Sequence, residues 1–211
     1  SHLKRVLKPG GVIVWIVGDQ IIDGSKTGTS FRQALHFRTL GLRIHDTMIY
    51  RGSKPPNAQN RYQNVCDNML IFSKGAPTTF NAITEPCTWA GASTSPTQRK
   101  PDGTLAGGKR RKIKPTKPRD NIWSYETGNG KTENNAHPAA FPLELAEDHI
   151  LSWSNEGDVV LDPFAGSCTT CVAAKRLSRR WIGIEVHRPY CKLGGARLAQ
   201  VILPIKEELG G

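Results

Sequence analysis

Two acidic residues and two cysteines have the type and spacing to carry chemistry. Asp162 and Glu185 each follow a short apolar run, VVL and WIGI, while Cys168 and Cys171 lie three positions apart in the stretch VVLDPFAGSCTT. That stretch leads from an apolar segment through a loop of small residues into a predicted helix, a typical ligand position in α/β proteins. Three kinds of ligand are compatible with it: a phosphate, a metal or redox partner, and a cofactor that presents no phosphate here.

The residues around the loop disfavour a phosphate. The 211 residues contain neither G-x-G-x-x-G nor G-x-x-x-x-G-K-[ST], the patterns in which backbone amides cradle phosphates. Asp162 at the mouth of the loop would also repel a pyrophosphate approaching the helix N-terminus. The loop is therefore not predicted to bind a phosphate.

Metal or redox chemistry at Cys168 and Cys171 also lacks support elsewhere in the chain. A zinc site needs four ligands, and no second C-x-x-C or paired histidine spacing accompanies this one. The sequence context of a thioredoxin motif is absent as well. The five cysteines form an odd set without repeated spacing, which predicts reduced thiols in a cytoplasmic protein. No metal site is predicted.

The third alternative is a cofactor that is cationic near the loop and carries a ribose. Glu185 follows Asp162 by 23 positions, close to the offset of about 20 at which an acid at the next strand end meets ribose hydroxyls. S-adenosylmethionine fits, because its sulfonium and ammonium groups tolerate Asp162. A third acid, Asp19, follows the apolar run VIVWIV. From the residues alone, it stays equally open that these acids only cap or flank ordinary turns.

Apolar periodicity predicts the elements that must position these residues. The upstream elements are a strand 12–17, a helix 29–41 with Thr29 or Ser30 as N-cap, and strands 42–50 and 69–75 as antiparallel neighbours. The downstream elements are a helix 142–154, a strand 158–162, a helix 169–177, a strand 181–185 and a helix 189–201. Strands alternating with helices predict a doubly wound α/β fold with a mostly parallel sheet covered on both faces.

Positive charge is concentrated between the two halves of this pattern. The net charge is +11, which favours a polyanionic partner such as nucleic acid. The segment 99–119 is rich in Pro and Gly and has no helical or strand period, so it is predicted to be an exposed loop or a partly ordered arm. Its basic residues are Arg99, Lys100, Lys109, Arg110, Arg111, Lys112, Lys114, Lys117 and Arg119. No apolar run approaches the roughly 18 residues of a membrane-spanning helix, so no membrane association is expected.

Residues 137–198 resemble the closing part of amino-group DNA methyltransferases of the permuted β class. The pattern of that family is H-P-A-x-F-P, then D-P-F-x-G-S-G-T-T, then G-x-E with a tyrosine a few residues on; this chain has HPAAFP, DPFAGSCTT and GIE. The front half is similar to the same family through RVLKPGG, VWIVGDQ, GTSFRQALHF, HDTMIY and RYQNVCDNMLIFSKG. The resemblance covers nearly the whole chain.

The resemblance implies a Rossmann-like sheet of permuted strand order that binds S-adenosylmethionine and methylates N6 of adenine or N4 of cytosine in double-stranded DNA. It implies three regions: 1–77 as the first half of the sheet, 78–135 as a basic target-recognition insertion, and 136–211 as the cofactor half. The implied cofactor-binding residues are His137, Pro138, Ala139, Phe141, Asp162, Phe164, Ala165, Gly166, Ser167, Thr169 and Glu185. The basic residues of 99–119 are expected to bind DNA, mostly through phosphates, while Trp123 is expected either to stack on a base or to anchor the insertion.

Two departures from the family pattern lead to further expectations. Cys168 stands where the family has Gly, so its side chain could crowd the cofactor. The Asp/Asn/Ser-Pro-Pro-Tyr tetrapeptide that holds the flipped base in this family occurs nowhere in the 211 residues. The chain is therefore expected to be a truncated form, with a gap between strands 158–162 and 12–17, and inactive alone. The alternatives are a non-catalytic nucleic-acid-binding module, or methylation of RNA or protein.

Overall fold

The computed structural model describes residues 2–52, 60–125 and 141–201. The helices are α1 His2–Val6, α2 Thr29–Thr39, α3 Leu143–Trp153, α4 Thr169–Arg176 and α5 Arg188–Gln200. The longer strands are β1 Val12–Val17, β4 Arg43–Arg51, β5 Cys66–Ser73, β13 Val159–Asp162 and β14 Arg180–Gly183. The short strands are β2 Ile21–Ile22, β3 Ser25–Lys26, β6 Thr84–Pro86, β7 Ser93–Thr94, β8 Thr97–Arg99, β9 Leu105–Gly107, β10 Arg111–Lys112, β11 Thr116–Pro118 and β12 Ile122–Ser124. None of the described helices has the length and apolarity needed to cross a membrane.

The larger sheet is mixed, with the order β1-β5-β4-β12. Strand β5 runs antiparallel to both β1 and β4, and only β12 pairs in parallel. The expected antiparallel pair 42–50 and 69–75 is confirmed, but the prediction of a mostly parallel sheet is wrong for the described strands. The reason is that β5 lies between β1 and β4, so the helical crossover joins two strands of like direction that do not touch.

Both faces of the central strand β5 are covered. Leu70 and Phe72 pack with Phe37 of α2 in one apolar cluster. Successive side chains of a strand point to opposite faces, so Met69 and Ile71, both fully buried, face the other side. There the Met69 sulfur lies 3.2 Å from a ring nitrogen of His149, a residue of α3. The sheet is thus sandwiched between helices, as the α/β pattern predicted.

The second sheet is a single strand–helix–strand unit. Strands β13 and β14 pair in parallel, from Val159 opposite Arg180 to Asp162 opposite Gly183, and α4 connects them. Strand β14 ends at Gly183, so Glu185 lies in the loop beyond it and not within the strand as expected. In the described residues this pair is not hydrogen-bonded to the four-stranded sheet. This break lies between strands 158–162 and 12–17, where the sequence predicted a gap.

The start of α2 differs from the prediction in its capping residue. Its N-cap is Gly28, in the left-handed conformation and without a side-chain cap, and neither Thr29 nor Ser30 fills that role. Instead the Asp19 carboxylate accepts hydrogen bonds from the Ser30 amide at 3.0 Å and the Ser30 hydroxyl at 2.7 Å. A distant carboxylate thus satisfies an amide at the helix start. These bonds also lower the pKa of Asp19, so this acid has a structural role.

Residues Ala82–Asp120 form a compact unit of their own. Its strands pair as nested antiparallel partners, β6 with β11, β7 with β10 and β8 with β9. Backbone hydrogen bonds close the unit at its base, where the Arg119 amide donates to Ile83, and at its tip, where the Lys100 amide donates to Thr104. The unit is one two-stranded ribbon. The segment 99–119 was predicted to be an exposed loop or a partly ordered arm; it is mostly exposed, but it contains strands that the sequence did not predict. The apolar alternation used to predict strands is absent because the ribbon buries neither face in a core of its own.

Candidate functional site

The loop between β13 and α4 is held in a tight conformation by its own backbone. Asp162 accepts a hydrogen bond from the Phe164 amide at 3.0 Å, which starts the turn. Gly166 and Cys168 both have positive φ angles, 51° and 63°. Glycine adopts this conformation readily, whereas a cysteine there is strained by about 1–2 kcal/mol. The loop therefore holds its shape through local bonds as well as through glycine.

Glu185 joins this loop to the loop after β14. Its carboxylate accepts the Gly166 amide at 2.8 Å and the His187 amide at 2.7 Å. The two strand ends that the sequence placed 23 positions apart are thereby brought together, and Glu185 is the residue that links them. The backbone amides of His187 and then Gly166 lower the pKa of Glu185, so the group is ionised at neutral pH.

Arg197 of α5 holds the far end of the loop. Its guanidinium donates to the Ser167 carbonyl at 2.6 Å, to the Ser167 hydroxyl at 3.0 Å and to the Thr169 hydroxyl at 3.1 Å. Ser167, Thr169 and the neighbouring Ala165 are all buried. The guanidinium thus fixes the position of the loop backbone relative to α5.

The Cys168 side chain turns away from the loop mouth and packs beneath α5. It belongs to an apolar cluster with Cys171, Val172 and Leu198. A Cβ atom added at Gly194 would collide with the Cys168 side chain, its nearest neighbour in the structure. The concern that Cys168 would crowd the cofactor is therefore not supported, because the missing side chain of Gly194 makes room for the thiol.

Burial makes the two thiols of the loop region poor nucleophiles. Desolvation raises the pKa of Cys168, and it raises the pKa of Cys171 to about 12. Metal coordination and disulfide exchange both need the thiolate, which is scarce at neutral pH for such groups. Within the described ranges no group of three or more His, Cys, Asp or Glu side chains could hold a metal ion. The geometry of the two cysteines is that of packing residues.

Exposed apolar side chains lie next to Glu185 in the sequence and in the loop that its carboxylate bonds. Val186 is 97% exposed and Ile184 is 55% exposed, on either side of it in sequence. Across the loop, the Phe164 ring is 73% exposed and meets Trp15 of β1 edge to face at 6.0 Å between ring centroids. Large apolar side chains left in water around a polar group are typical of a ligand site.

These features fit S-adenosylmethionine. Each Glu185 oxygen accepts one backbone bond and has a further lone pair, as a ribose diol requires. The exposed Phe164 and Val186 side chains offer apolar surface to an adenine ring, and Asp162 places negative charge where the cofactor is cationic. Of the other expected contacts, Phe141 is half-buried against α3 and α4. His137, Pro138 and Ala139 lie outside the described residues.

The predicted nucleic-acid-binding residues lie on the ribbon Ala82–Asp120, but they are not equivalent. Lys117, near its base, bonds Asp120 at 2.6 Å and Glu85 at 2.7 Å, and these carboxylates raise its pKa. Its charge is thus already balanced within the ribbon. The basic side chains toward the tip are exposed; they are Arg99, Lys100, Lys109, Arg110, Arg111, Lys112 and Lys114.

Trp123 does not have the exposure that base stacking requires. It is 6% exposed, lies in β12 beside β4, and packs against the His149 ring at 4.6 Å between centroids. Of its two expected roles, the described structure supports anchoring. A base could reach this ring only if the core opened.

Two residues that position the loop, Arg197 and Gly194, were not predicted from the sequence. Adjacent glycines at 194 and 195 inside a predicted helix were a usable signal, because glycine destabilises a helix interior by about 1 kcal/mol and its presence there indicates a close approach. Arg197 carried no such signal, since an arginine in a helix is usually a solvated charge.

Comparison with known proteins gives a consistent assignment. A family model described as DNA methylase matches residues 1–195. The orphan methyltransferase M.BamHII of Bacillus amyloliquefaciens is 45% identical over 212 residues, covering 96% of this chain and 80% of that protein. The type II methyltransferases M.BglII of Bacillus subtilis and M2.DpnII of Streptococcus pneumoniae are 29% and 31% identical. The chain covers 52% and 63% of their respective lengths, so it spans half to four-fifths of these three relatives.

Solved structures show the same fold. The PvuII DNA methyltransferase, described as cytosine-N4-specific, superimposes with a TM-score of 0.68 at 20% identity, over 92% of this chain and 66% of that one. TTHA0409 of Thermus thermophilus, solved in complex with S-adenosyl-L-methionine, gives a TM-score of 0.62 at 25% identity, over 94% of this chain and 72% of that one. The fold is therefore the mixed α/β fold of such enzymes.

Proposed function

The chain belongs to the DNA methylase family of S-adenosylmethionine-dependent N6/N4 methyltransferases, and from this we propose that it forms the cofactor-binding and target-recognition part of a site-specific DNA methyltransferase. The substrate is the exocyclic amine of adenine or cytosine in duplex DNA. The observation that carries the proposal is the Glu185 carboxylate bonded to the Gly166 amide, because it unites two predicted cofactor contacts at one strand edge.

Each cofactor-binding residue has a distinct task. When bound, S-adenosylmethionine supplies an electrophilic methyl group that an exocyclic amine accepts directly, so no cysteine nucleophile is needed. Glu185 holds the ribose hydroxyls, Asp162 balances the positive charge, and Phe164 covers the adenine. Arg197 keeps Ser167 and Thr169 in place. We assign His137, Pro138, Ala139 and Phe141 to the methionine side, with Ala165 and Gly166 completing the loop.

The division of the chain follows the permuted order of the family. Residues 1–77 form the first half of the sheet, 78–135 the target-recognition insertion and 136–211 the cofactor half. The compact ribbon Ala82–Asp120 lies within the second of these regions. Its net positive charge suits duplex DNA, whose phosphates supply most of the salt-dependent affinity.

Base holding requires a segment that the 211 residues do not contain. No Asp/Asn/Ser-Pro-Pro-Tyr tetrapeptide occurs among them. Strands β1 and β13 each pair on one side only within the described residues, which leaves room for further strands between them. We propose that a polypeptide of these 211 residues alone binds the cofactor and DNA without transferring a methyl group.

Methyl transfer to DNA tests this proposal. The 211-residue chain is compared with a fusion that carries, at its amino end, the tetrapeptide-bearing strands of a family member. With tritiated S-adenosylmethionine and duplex DNA, the fusion is expected to label N6-methyladenine or N4-methylcytosine, and the chain alone to label neither. Transfer by the chain alone would contradict the need for the tetrapeptide, and label in RNA or protein instead of DNA would contradict the substrate class.

The absent tetrapeptide also favours a second candidate, a non-catalytic nucleic-acid-binding module with the same fold. Cys168 no longer supports it, because its side chain packs away from the cofactor side. A fusion that binds S-adenosylmethionine and DNA but never transfers the methyl group would make this second function the correct one.

A further inference from the structure

The distal part of the ribbon, residues 92–113, has the shape and charge of an element that enters a nucleic-acid groove. It is a two-stranded antiparallel ribbon, held by the pairs β7–β10 and β8–β9. Nearly all its side chains are exposed on both faces, so it has no core to serve. The major groove of B-form DNA, about 12 Å wide, admits a two-stranded β-ribbon.

The tip of this ribbon is built to be rigid. The Asp102 carboxylate accepts hydrogen bonds from the Thr104 amide at 2.9 Å and the Thr104 hydroxyl at 2.7 Å, and Gly103 has a φ of 85°. These bonds lower the pKa of Asp102. The only carboxylate in residues 92–113 is thus engaged in shaping the turn.

One face of the ribbon carries the side chains that suit base edges. Arg99 lies opposite Leu105, and Thr97 lies opposite Gly107. Residues two apart on a strand share a face, so Thr97, Arg99 and Leu105 lie on one exposed surface. An arginine fork pairs with guanine O6 and N7, while threonine and aliphatic methyl groups contact the thymine methyl. Leu105 is 68% exposed.

The run Lys109–Lys112 suits a different task. The four residues are all cationic, and the last two of them, Arg111 and Lys112, form β10. Successive side chains of a strand point to opposite faces, so only one of these two can face the base edges. The same alternation sends positive charge toward both sides of the ribbon. A ribbon in the major groove has a phosphate backbone on each side, and such a run matches both walls.

We propose that residues 92–113 enter the major groove of duplex DNA, where Arg99 reads a base pair and the run Lys109–Lys112 holds phosphates. The proposal rests on the proposed function, since it takes DNA as the substrate. It deepens that function by separating the specificity-determining side chain from those that supply only affinity.

The first arm of the test distinguishes groove insertion from simple charge attraction. Binding of the 211-residue chain is measured against a random-sequence DNA duplex and a duplex RNA of equal length at one salt concentration. The major groove of A-form RNA is too deep and narrow for side chains to read, so DNA is expected to bind about tenfold or more tightly. Equal affinity for the two duplexes would overturn the proposal.

The second arm assigns roles to the side chains. A preferred duplex is selected from random DNA, and Arg99→Ala is compared with Lys109→Ala. Arg99→Ala is expected to lower the affinity for the selected duplex about five- to 150-fold and to remove the sequence preference at one base pair. Its affinity for unrelated DNA should change little. Lys109→Ala is expected to lower the affinity for the selected duplex and for unrelated DNA by the same factor. It should also reduce the slope of log affinity against log salt concentration by about 0.9.

Chemical probing and a conservative variant complete the test. Dimethyl sulfate methylates guanine N7 in the major groove. The parent chain should protect one guanine of the selected duplex from this reaction, and Arg99→Ala should not. Arg99→Lys keeps the charge but loses the fork, so it should not restore the base preference. If Arg99→Lys restores it, if Arg99→Ala behaves like Lys109→Ala, or if no sequence preference emerges, Arg99 is a phosphate contact and the proposal is wrong.

Cofactor titration separates this proposal from the proposed function. All three variants are expected to bind S-adenosylmethionine like the parent chain, because the changes lie outside the cofactor loop. A parent chain that binds the cofactor but shows no preference for DNA would overturn only the groove proposal. A folded parent chain that selects a DNA sequence but binds no cofactor would overturn only the proposed function.

Discussion

At the residue scale, Cys168 and Gly194 act as a pair. The cysteine has a left-handed backbone conformation in the loop between β13 and α4, and it is accommodated because α5 lacks a side chain where the thiol packs. The space for the thiol depends on a helix 26 positions further along the chain, which no local pattern in the loop could reveal.

Gly194→Ala is therefore expected to destabilise the protein. The new methyl group would collide with the Cys168 side chain, and overpacking of this kind costs about 1–3 kcal/mol. Unfolding in denaturant measures the change. Gly195→Ala is the matched control, because nothing lies within 4 Å of its added Cβ; it should stabilise α5 by about 0.5–1 kcal/mol.

A double variant checks that the thiol is the cause. In Cys168→Gly the obstruction is absent, so adding Gly194→Ala should no longer destabilise the protein. If the effects of the two substitutions on the free energy of unfolding simply add, the collision is not with Cys168.

Arg197 is expected to position the cofactor loop without touching the cofactor. Arg197→Ala removes the donors to Ser167 and Thr169 and should weaken S-adenosylmethionine binding about tenfold, or 1.4 kcal/mol. Arg176→Ala is the charge-matched control, since Arg176 pairs with Glu147 at a half-exposed site. Calorimetric titration of both variants measures the effect, and equal affinities would contradict a positioning role for Arg197.

At the scale of elements, the two sheets differ in how much of their surface is covered. Met69, Ile71 and Phe72 of β5 are fully buried, while every residue of β14 is exposed. Local opening is easiest where few apolar contacts hold the backbone. The proposed cofactor loop, between β13 and α4, thus lies on the less protected sheet, and ligand binding should order it.

Hydrogen exchange is expected to show this difference directly. Without ligand, amides of β14 and the Gly166 amide should exchange far faster than those of Met69–Ser73. Saturating S-adenosylmethionine should slow exchange at Gly166 and His187, whose amides bond Glu185, and leave β5 unchanged. Equal protection of β14 and β5 in the free protein would contradict this expectation.

The sequence predicted some elements of the structure better than others. The strand–helix–strand unit around Asp162 was predictable, because its apolar runs and turn residues agree. The mixed order of the larger sheet was not, because a strand's neighbours depend on long-range pairing that periodicity does not encode. The ribbon was missed because strands exposed on both faces lack alternation. The spacing of the acids placed Glu185 at a strand end near the loop, where its carboxylate accepts the Gly166 amide, whereas Gly194 and Arg197 act through packing from another helix.

At the scale of the whole molecule, the basic ribbon and the proposed cofactor site lie in separate compact units of the chain. The backbone bond from Arg119 to Ile83 brings the two ends of the ribbon to about the 5 Å spacing of paired strands. A short Gly/Ser linker can therefore replace Ala82–Asp120 without straining the chain on either side.

That replacement is expected to separate the two binding activities. Affinity for S-adenosylmethionine should stay within about twofold of the parent, because the loop contacts all lie outside the ribbon. Affinity for duplex DNA should fall by about 100-fold at moderate salt, as several phosphate contacts are lost together. Calorimetry and fluorescence anisotropy measure the two quantities. If the replacement abolishes cofactor binding and leaves DNA binding intact, the assignment of DNA binding to the ribbon and of cofactor binding to the rest of the chain is wrong.

Calorimetric titration of the 211-residue chain with S-adenosylmethionine shows whether the loop 163–168 and Glu185 form a binding site for this cofactor. The parent chain and Glu144→Gln, the same change at an exposed position of α3, should bind one cofactor per chain. Glu185→Gln and Asp162→Ala should bind it at least about tenfold more weakly, because an ionised acceptor for a hydroxyl contributes about 1.5–3 kcal/mol. A folded parent chain that gives no saturable binding, or a Glu185→Gln variant that binds like the parent, would contradict the assignment of this site.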